Sequence, residues 1–185
     1  MELSIKDELW WGAELQLPSW AGYQSRNGPY GSKDKPGPSD GAVTLIFAPE
    51  GRGLEPLGEQ ELRLISWFEQ NEPMVSNAVK AAIINWCSPQ STERAARFDF
   101  GDDFPVVSDD QDLRENVGLY SVNVHQLAAD GLPYVGFEFG CEWEDEHGLG
   151  VLMHGTRVVD VGFADTAFLL WIAEEDAEKS GASST

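Results

Sequence analysis

The chain has 185 residues, with 12 basic and 32 acidic side chains and a formal net charge of −20. This charge repels nucleic acids and anionic membranes at long range, so neither is expected as a partner. The hydrophobic fraction of 42% and the seven tryptophans exclude a disordered acidic chain and allow a sizeable core.

The ends of the chain and its cysteines indicate a cytoplasmic protein. The first residues, MELSIKDELWW, have no basic start followed by an apolar segment, and no apolar run approaches the roughly 20 residues of a membrane span. Cys87 ends a helical pattern and Cys141 lies in a strand pattern. Two reduced core thiols are favoured there over a disulfide.

The N-terminal part predicts two strands separated by a long loop. Residues 8–17 and 43–47 alternate apolar and polar side chains, which is the period of a half-buried strand. Residues 19–41 are rich in Gly, Pro, Ser and Asn and predict an exposed loop. Four aromatic residues are candidates for exposed interface anchors: Trp10, Trp20, Tyr23 and Tyr30. The alternative is that Trp10 and Trp20 cover a small second core under the long loop.

Two helices and an acidic loop are predicted in the middle of the chain. Apolar residues recur at helical spacing over Glu59–Gln70 and again from Val75 to Trp86. Pro73 between them suits the first turn of a new helix. Residues 88–116 predict an irregular surface loop with acidic clusters.

The last third predicts a β-meander and a final helix. Its four strands are Val117–Leu127, Leu132–Trp143, Gly148–His154 and Arg157–Gly162. In the second strand, one alternating set is predicted to face the core: Val135, Phe137, Phe139, Cys141 and Trp143. The other set faces away: Tyr134, Gly136, Glu138, Gly140 and Glu142. Asp165 is predicted to cap a helix over Ala164–Glu178 that docks on the sheet through Phe168, Leu169, Trp171 and Ile172.

These elements predict an α+β fold in which an antiparallel, meander-rich sheet packs against about three α-helices. A single domain is expected over residues 1–178, with long surface loops at 19–41 and 88–116. Residues 179–185 are expected to form a flexible tail.

The negative charge is concentrated in one third of the chain. From Phe98 to Thr156 there are thirteen Asp or Glu and a single basic residue, Arg114, so this part carries −12 of the −20. Solubility alone explains such acidity, and so does a surface that docks a basic protein. The residues of that docking surface would be Asp102, Asp103, Asp109, Asp110, Asp112, Glu142, Glu144, Asp145 and Glu146.

The densest polar cluster, from Glu142 to His154, also raises a metal hypothesis. Cys141, His147 and His154 offer zinc-type ligand atoms, but their spacing matches no paired metal motif. A solvated hairpin end with a locally neutralised carboxylate explains the cluster adequately and is favoured over a metal site. We therefore predict no metal, no cofactor and no catalytic residue. A small metal-dependent hydrolase centred on Glu142, Glu146, His147 and His154 is kept as the alternative.

The segment from Tyr134 to Asp165 resembles a family of small acidic bacterial proteins with the pattern W-x-x-E-H-G-x-G-V-x-x-H-G. The matching positions here are Trp143, Glu146, His147, Gly148, Gly150 and His154. Such proteins resemble those found beside polymorphic-toxin loci, where small acidic domains serve as immunity proteins. The resemblance supplies no established catalytic residues, so these are motif positions only. Structural roles are expected for them, with a turn or close approach at the glycines and a Glu146–His147 pair.

The sequence therefore predicts a non-enzymatic immunity protein whose acidic surface binds a basic cognate toxin, with a nuclease toxin fitting the charge best. The hydrolase and a housekeeping interaction domain unrelated to toxins are the competing hypotheses.

Overall fold

The computed structural model describes residues 3–6, 10–28, 37–51, 53, 55–98, 104–144 and 146–182. These residues form one seven-stranded sheet and four α-helices. The strands are β1 (Ser4–Lys6), β2 (Trp10–Gln16), β3 (Ala42–Phe47), β4 (Val117–Ala129), β5 (Leu132–Cys141), β6 (Leu149–His154) and β7 (Arg157–Gly162). The helices are α1 (Glu59–Cys87), α2 (Thr92–Arg97), α3 (Asp110–Asn116) and α4 (Leu170–Ala182), and short 3-10 turns occur at Pro18–Trp20 and Ala164–Ala167.

The strands follow one another across the sheet in chain order, from β1 to β7. Neighbouring strands are antiparallel except β3 and β4, which run parallel. The α+β class and the antiparallel meander from β4 to β7 are therefore confirmed, whereas a wholly antiparallel sheet is wrong. The helices between β3 and β4 return the chain to the end of the sheet where β3 began, which makes this pair parallel.

The main core lies between α1 and one face of the sheet, called here the core face. The alternation predicted for β5 is confirmed, because Val135, Phe137, Phe139 and Cys141 are all buried. Trp143 lies beyond the end of the strand and is half-buried.

One continuous helix, α1, replaces the two helices predicted on either side of Pro73. The buried stripe continues through this position, from Phe68 to Val75, so packing keeps the chain helical although proline lacks a main-chain N–H. Beside it, Nδ2 of Asn71 donates to the main-chain oxygen of Trp67 at 2.8 Å. In the described ranges, α1 included, no helix combines the length and the apolar composition that a membrane crossing needs.

The first part of the predicted exposed loop, 19–41, is packed against the sheet, so that prediction is wrong there. Trp20 and Tyr23 are each only 1% exposed, and Trp10 is half-buried. Nε1 of Trp20 donates to Oγ of Ser76 on α1 at 2.8 Å. Burial of these large aromatic rings orders a segment that is otherwise rich in glycine and proline.

The predicted irregular loop 88–116 contains α2 and α3 and is corrected for those residues. The Ser91 hydroxyl accepts from the N–H of Arg94 at the start of α2. The Asp109 carboxylate caps α3 in the same manner. Short polar side chains favour such caps as well as loops, which is why composition alone was misleading.

The predicted C-terminal helix, Ala164–Glu178, is divided into two elements. A 3-10 turn occupies its first four residues, and α4 begins only at Leu170. The helix then continues to Ala182, so residues 179–182 are helical where a flexible tail was predicted.

The side of α4 that faces the sheet also differs from the prediction. Leu170 and Ala173 are buried, and Ala173 belongs to a small apolar cluster with Tyr134 of β5. Phe168 and Trp171 are 48% and 53% exposed instead of docked. The small Ala173 side chain allows α4 to lie close to the sheet, and this orientation turns the two aromatic rings outward.

The face of the meander opposite α1, called here the second face, is covered directly by main chain. A Cβ atom on Gly136 would lie 1.7 Å from the carbonyl oxygen of Ala167, and one on Gly150 would lie 2.4 Å from that of Phe163. Glycine is therefore required where another part of the chain approaches a strand this closely.

Both cysteines, Cys87 and Cys141, are buried and free, as the sequence predicted. Burial raises the pKa of each thiol to about 12. Neither sulfur is therefore a thiolate nucleophile at neutral pH.

The contact at Gly136 gives a stability prediction. Gly136→Ala should lower the free energy of unfolding by more than about 3 kcal/mol, because the Ala167 main chain must move away from the new methyl group. Gly181→Ala is the control, since a Cβ there meets no neighbouring atom and the residue lies in α4. Urea denaturation should give unchanged or slightly raised stability for the control. Equal stabilities for the two variants would contradict the close packing of the second face.

Candidate functional site

Two of the predicted docking carboxylates organise the start of α3. Oδ1 of Asp109 accepts from the N–H groups of Gln111 and Asp112, each at 2.9 Å. Oδ2 of Asp112 accepts from the N–H and the hydroxyl of Ser108 at 2.9 and 2.6 Å. The Ser108 hydroxyl and N–H bonds hold the pKa of Asp112 below its usual value, so this partly exposed carboxylate is ionised at neutral pH.

Asp110 connects α3 to the buried aromatic segment. Its carboxylate accepts from the Tyr23 hydroxyl and from Nε of Arg114 at 2.7 Å, and Nζ of Lys80 lies 3.7 Å away. The Lys80 ammonium and the Arg114 guanidinium also lie over the ring of Tyr23. Asp110 is thus paired with cations within the chain and contributes little net negative charge to a docking surface.

Glu142 joins the end of β5 to the segment that follows Tyr23. Its Oε1 accepts from Nε2 of Gln24 at 2.8 Å and from Nη2 of Arg26 at 2.7 Å. The Arg26 side chain is 3% exposed, whereas that of Glu142 is 41% exposed. A buried guanidinium requires a negatively charged partner, so Glu142 has a structural role in addition to its predicted contact with a protein partner.

The turn between β5 and β6 is held by Glu144. Its Oε1 accepts from the N–H groups of Glu146 and His147 at 3.0 and 3.1 Å and lies 3.2 Å from Nδ1 of His147. The carboxylate next to the His147 ring is therefore that of Glu144 and not that of Glu146, which corrects the predicted pair. Glu146 itself is exposed.

The glycines and the tryptophan of the motif have structural roles, as expected. Gly148 has φ +64°, a left-handed conformation that favours glycine in the turn. Gly150 allows the main chain of Phe163 and Ala164 to lie against β6. The ring of Trp143 packs at 5.4 Å from that of Phe104 on the edge of the core.

His154 lies at the far end of β6 within a network that holds α4. Its ring stacks on Tyr134 at 4.5 Å, and its Nε2 is 2.8 Å from the main-chain oxygen of Ala129. Arg157 donates to Nδ1 of His154 and forms two hydrogen bonds to Asp176 on α4. Because arginine only donates, the hydrogen of His154 is on Nε2, and both ring nitrogens have partners.

The two motif histidines do not form a common site. His147 precedes β6 and His154 ends it, which separates them by about 20 Å along an extended strand. Within the described ranges, no three His, Cys, Asp or Glu side chains come together in a way that could hold a metal ion. The residues of the hydrolase hypothesis are therefore divided between opposite ends of the sheet.

Sequence reasoning missed the buried carboxylate of Glu138, which was assigned only to the outward set of β5. Glu138 is 8% exposed and accepts from the hydroxyls of Tyr120 and Ser121 at 2.8 and 2.6 Å and from Nδ2 of Asn123. The available signal was its position between Gly136 and Gly140, since glycines on a strand face indicate a close covering.

Four residues singled out from the sequence lie outside the described residues: Tyr30, Asp102, Asp103 and Asp145. Their predicted exposure and docking roles remain predictions.

A family described as a domain of unknown function, DUF6985, matches residues 33–169. The chain belongs to this family. The DUF6985 match extends from before β3 to the end of the 3-10 turn at Ala164–Ala167, and therefore includes the whole meander and the motif. Comparison with curated proteins and with solved structures gives no match.

Two structural parts of this DUF6985 protein lie outside the matched range. They are the N-terminal segment that carries Trp20 and Arg26, and α4. Both cover faces of the matched sheet, and Arg26 supplies the partner of Glu142.

The roles of Glu142 and Glu146 can be separated by stability. Glu142→Ala should lower the free energy of unfolding by about 1–2 kcal/mol, because it removes the oxygen that accepts from Gln24 and Arg26. Glu146→Ala should change it by less than about 0.5 kcal/mol, since this side chain is exposed. Urea denaturation checks both values, and equal effects would contradict the structural role of Glu142.

The network around Asp176 predicts a dependence of stability on pH. Hydrogen bonds from Arg157 and from Tyr134 hold the pKa of Asp176 below its usual value of 3.8. The ionised carboxylate therefore stabilises the fold at neutral pH, and this contribution is lost as pH falls through the lowered pKa. Asp176→Asn should be less stable than the wild type at neutral pH, and the difference should shrink below pH 3.8. Thermal unfolding across this range measures it, and a constant difference would contradict the assignment.

Proposed function

We propose that this protein is a non-catalytic binding protein that neutralises a basic partner, a cognate nuclease-type toxin, as an immunity protein. The charge of the partner is inferred from the carboxylates at one end of the sheet. The toxin as partner is inferred from the resemblance of residues 134–165 to immunity-type proteins.

The meeting of two acidic segments at this end carries the proposal. The N–H of Glu142 donates to the main-chain oxygen of Asn116 at 3.0 Å, so α3 lies beside the start of the β5–β6 turn. We call the carboxylates of these two segments the acidic end: Asp109, Asp110, Asp112, Glu115, Glu142, Glu144 and Glu146. Arg114 is the only Lys or Arg between Phe104 and Thr156.

The internal hydrogen bonds of the acidic end support binding, because they fix carboxylates before a partner arrives. Asp109, Asp112 and Glu144 each accept hydrogen bonds from other described residues through a single oxygen. Each keeps its charge in a fixed position at the surface. Fixed charge of one sign raises the association rate with an oppositely charged protein, and the effect falls as salt is added.

The competing hypotheses differ in what they require. A metal-dependent hydrolase needs His147 and His154 at one site, and their separation along β6 removes its support. A housekeeping interaction domain shares the acidic end but has no toxic partner. A growth assay with the partner therefore distinguishes it from an immunity protein.

The test begins with the tagged full chain as bait in the native bacterial lysate at low and high salt. We expect capture of a basic protein at low salt and its loss at high salt. Expression of the captured protein alone should arrest growth, and co-expression with this chain should restore it. Capture of no basic protein, or of one that is harmless when expressed alone, would contradict the immunity function.

The contribution of the acidic end is tested with amide substitutions that keep the size of each side chain. Asp109→Asn/Asp112→Asn/Glu146→Gln removes three charges, and Asn remains a good helix N-cap. We expect an association rate with the captured protein that is lower by about tenfold at low salt. The measurement is surface plasmon resonance at several salt concentrations.

The matched control removes three charges elsewhere, in Glu59→Gln/Glu69→Gln/Asp130→Asn. The two glutamates are exposed on α1, and Asp130 lies in the β4–β5 turn at the opposite end of the sheet. Asn tolerates the positive φ of position 130. Equal rates for the two triple variants would show that the acidic end has no special role in docking.

A further inference from the structure

Two aromatic side chains are exposed where α4 begins. Phe168 is 48% exposed and Trp171 is 53% exposed. The two residues are three positions apart in a stretch of helix-like backbone, so they lie about one turn apart. This backbone is held by hydrogen bonds from the N–H of Leu169 to the oxygen of Asp165 and from the N–H of Ile172 to the oxygen of Leu169. Neither ring is needed to attach α4, which is held by Leu170, Ala173 and the Asp176 network.

Carboxylates surround this aromatic pair on both sides. Glu174, Glu175 and Glu178 follow Trp171 at the spacings that share one helix face, and all three are exposed. Lys179 lies on the same face and is paired with Glu175 at 3.2 Å. On the other side, Phe168 lines a small crevice together with Glu50, His125 and Gln126. We call Glu50, Phe168, Trp171, Glu174, Glu175 and Glu178 the α4 aromatic surface.

We propose that the α4 aromatic surface docks a cationic, arginine- or lysine-rich segment of a protein partner. This inference rests on the proposed function and adds a second contact region to it. Tryptophan is the side chain most enriched at the energetic centres of interfaces, and its ring attracts guanidinium and ammonium groups. The surrounding carboxylates add charge complementarity for the same partner.

Charge also argues against the other occupants of an exposed aromatic pair. A second copy of this chain, with a net charge of −20, would bring its own carboxylates against Glu174 and Glu178. An anionic membrane surface would be repelled in the same way. A cationic polypeptide is the occupant for which both the rings and the carboxylates are favourable.

The α4 aromatic surface lies at the opposite end of the sheet from the acidic end. The 3-10 turn begins near the β5–β6 turn, where the N–H of Ala164 donates to the oxygen of His147. It leads toward the α4 aromatic surface, and the oxygen of Ala167 lies 2.9 Å from Nε2 of His125 on β4. The two regions can therefore be altered independently.

The test is a titration of the full chain, labelled with nitrogen-15, with an octa-arginine peptide at low salt. The indole N–H resonance of Trp171 is assigned by its loss in Trp171→Phe. We expect this resonance to shift and to saturate with the peptide, and to remain unchanged with an octa-glutamate peptide. Trp171→Ala should raise the dissociation constant for octa-arginine about two- to five-fold, and Phe168→Ala/Trp171→Ala should raise it further.

Matched controls distinguish the rings and carboxylates from general surface effects. Met74→Ala removes an apolar side chain on α1 with the same 53% exposure and should leave the dissociation constant unchanged. Glu174→Gln/Glu178→Gln should weaken binding more than Glu59→Gln/Glu69→Gln, which removes the same charge from α1. Circular dichroism confirms that each variant is folded.

An unchanged dissociation constant in Phe168→Ala/Trp171→Ala, or a Trp171 resonance that does not respond to octa-arginine, would overturn this inference. A Trp171 shift on raising the concentration of the chain alone would assign the surface to a second copy instead. A shift with anionic phospholipid vesicles but not with octa-arginine would assign it to a membrane. The proposed immunity function is tested by the capture and growth experiments and not by the octa-arginine titration. A failure of one proposal can therefore be distinguished from a failure of the other.

Discussion

Main-chain atoms lie directly against glycines on the second face of the meander, and no side chain can be accommodated at those positions. Main-chain oxygens of residues 24 and 28 lie against Gly118 and Gly140. Main-chain oxygens of the segment that leads to α4 lie against Gly136 and Gly150. The first contact brings Arg26 to Glu142, and the second fixes the start of α4. The orientation of both proposed binding regions therefore depends on positions where only glycine leaves enough room.

The carboxylates of this chain act as structural groups and as surface charge at the same time. Asp109 and Asp112 hold the start of α3, Glu144 holds the β5–β6 turn, and Asp176 attaches α4 through Arg157. Hydrogen bonds from uncharged donors, main-chain N–H groups and the Ser108 hydroxyl, hold Asp109, Asp112 and Glu144 without cancelling their charge. The charge of Asp110, in contrast, is cancelled by nearby cations. A count of acidic residues thus overstates the available negative surface, and the type of donor decides which of them contribute to it.

The regular elements were largely predictable from the sequence, and the irregular ones were not. Period-two alternation gave the four strands of the meander, because one face of each must be apolar. Residue preferences gave wrong predictions at two places. Proline predicted a new helix at Pro73, but a buried apolar stripe continues across it. Glycine and proline predicted an exposed loop around Trp20, but burial of this large ring orders the segment. In the site, the turn at Gly148 and the close approach at Gly150 were anticipated, but the partner of His147 was not. The pairing of Glu142 with Arg26 joins residues far apart in the chain, which local patterns do not reveal. The outward rotation of Trp171 likewise depends on how closely Ala173 approaches the sheet, which no local pattern encodes.

Acidity that serves solubility alone would be expected to spread over the surface and to accompany few large exposed rings. In this fold, carboxylates from two distant segments meet at one end of the sheet, and others surround Phe168 and Trp171 at the opposite end. An exposed tryptophan is an association risk for any soluble protein, yet surrounding carboxylates repel further copies of an acidic chain while attracting cations. The combination of exposed rings and like charge is therefore the reason for proposing a basic polypeptide as the partner, ahead of self-association or a role in solubility alone.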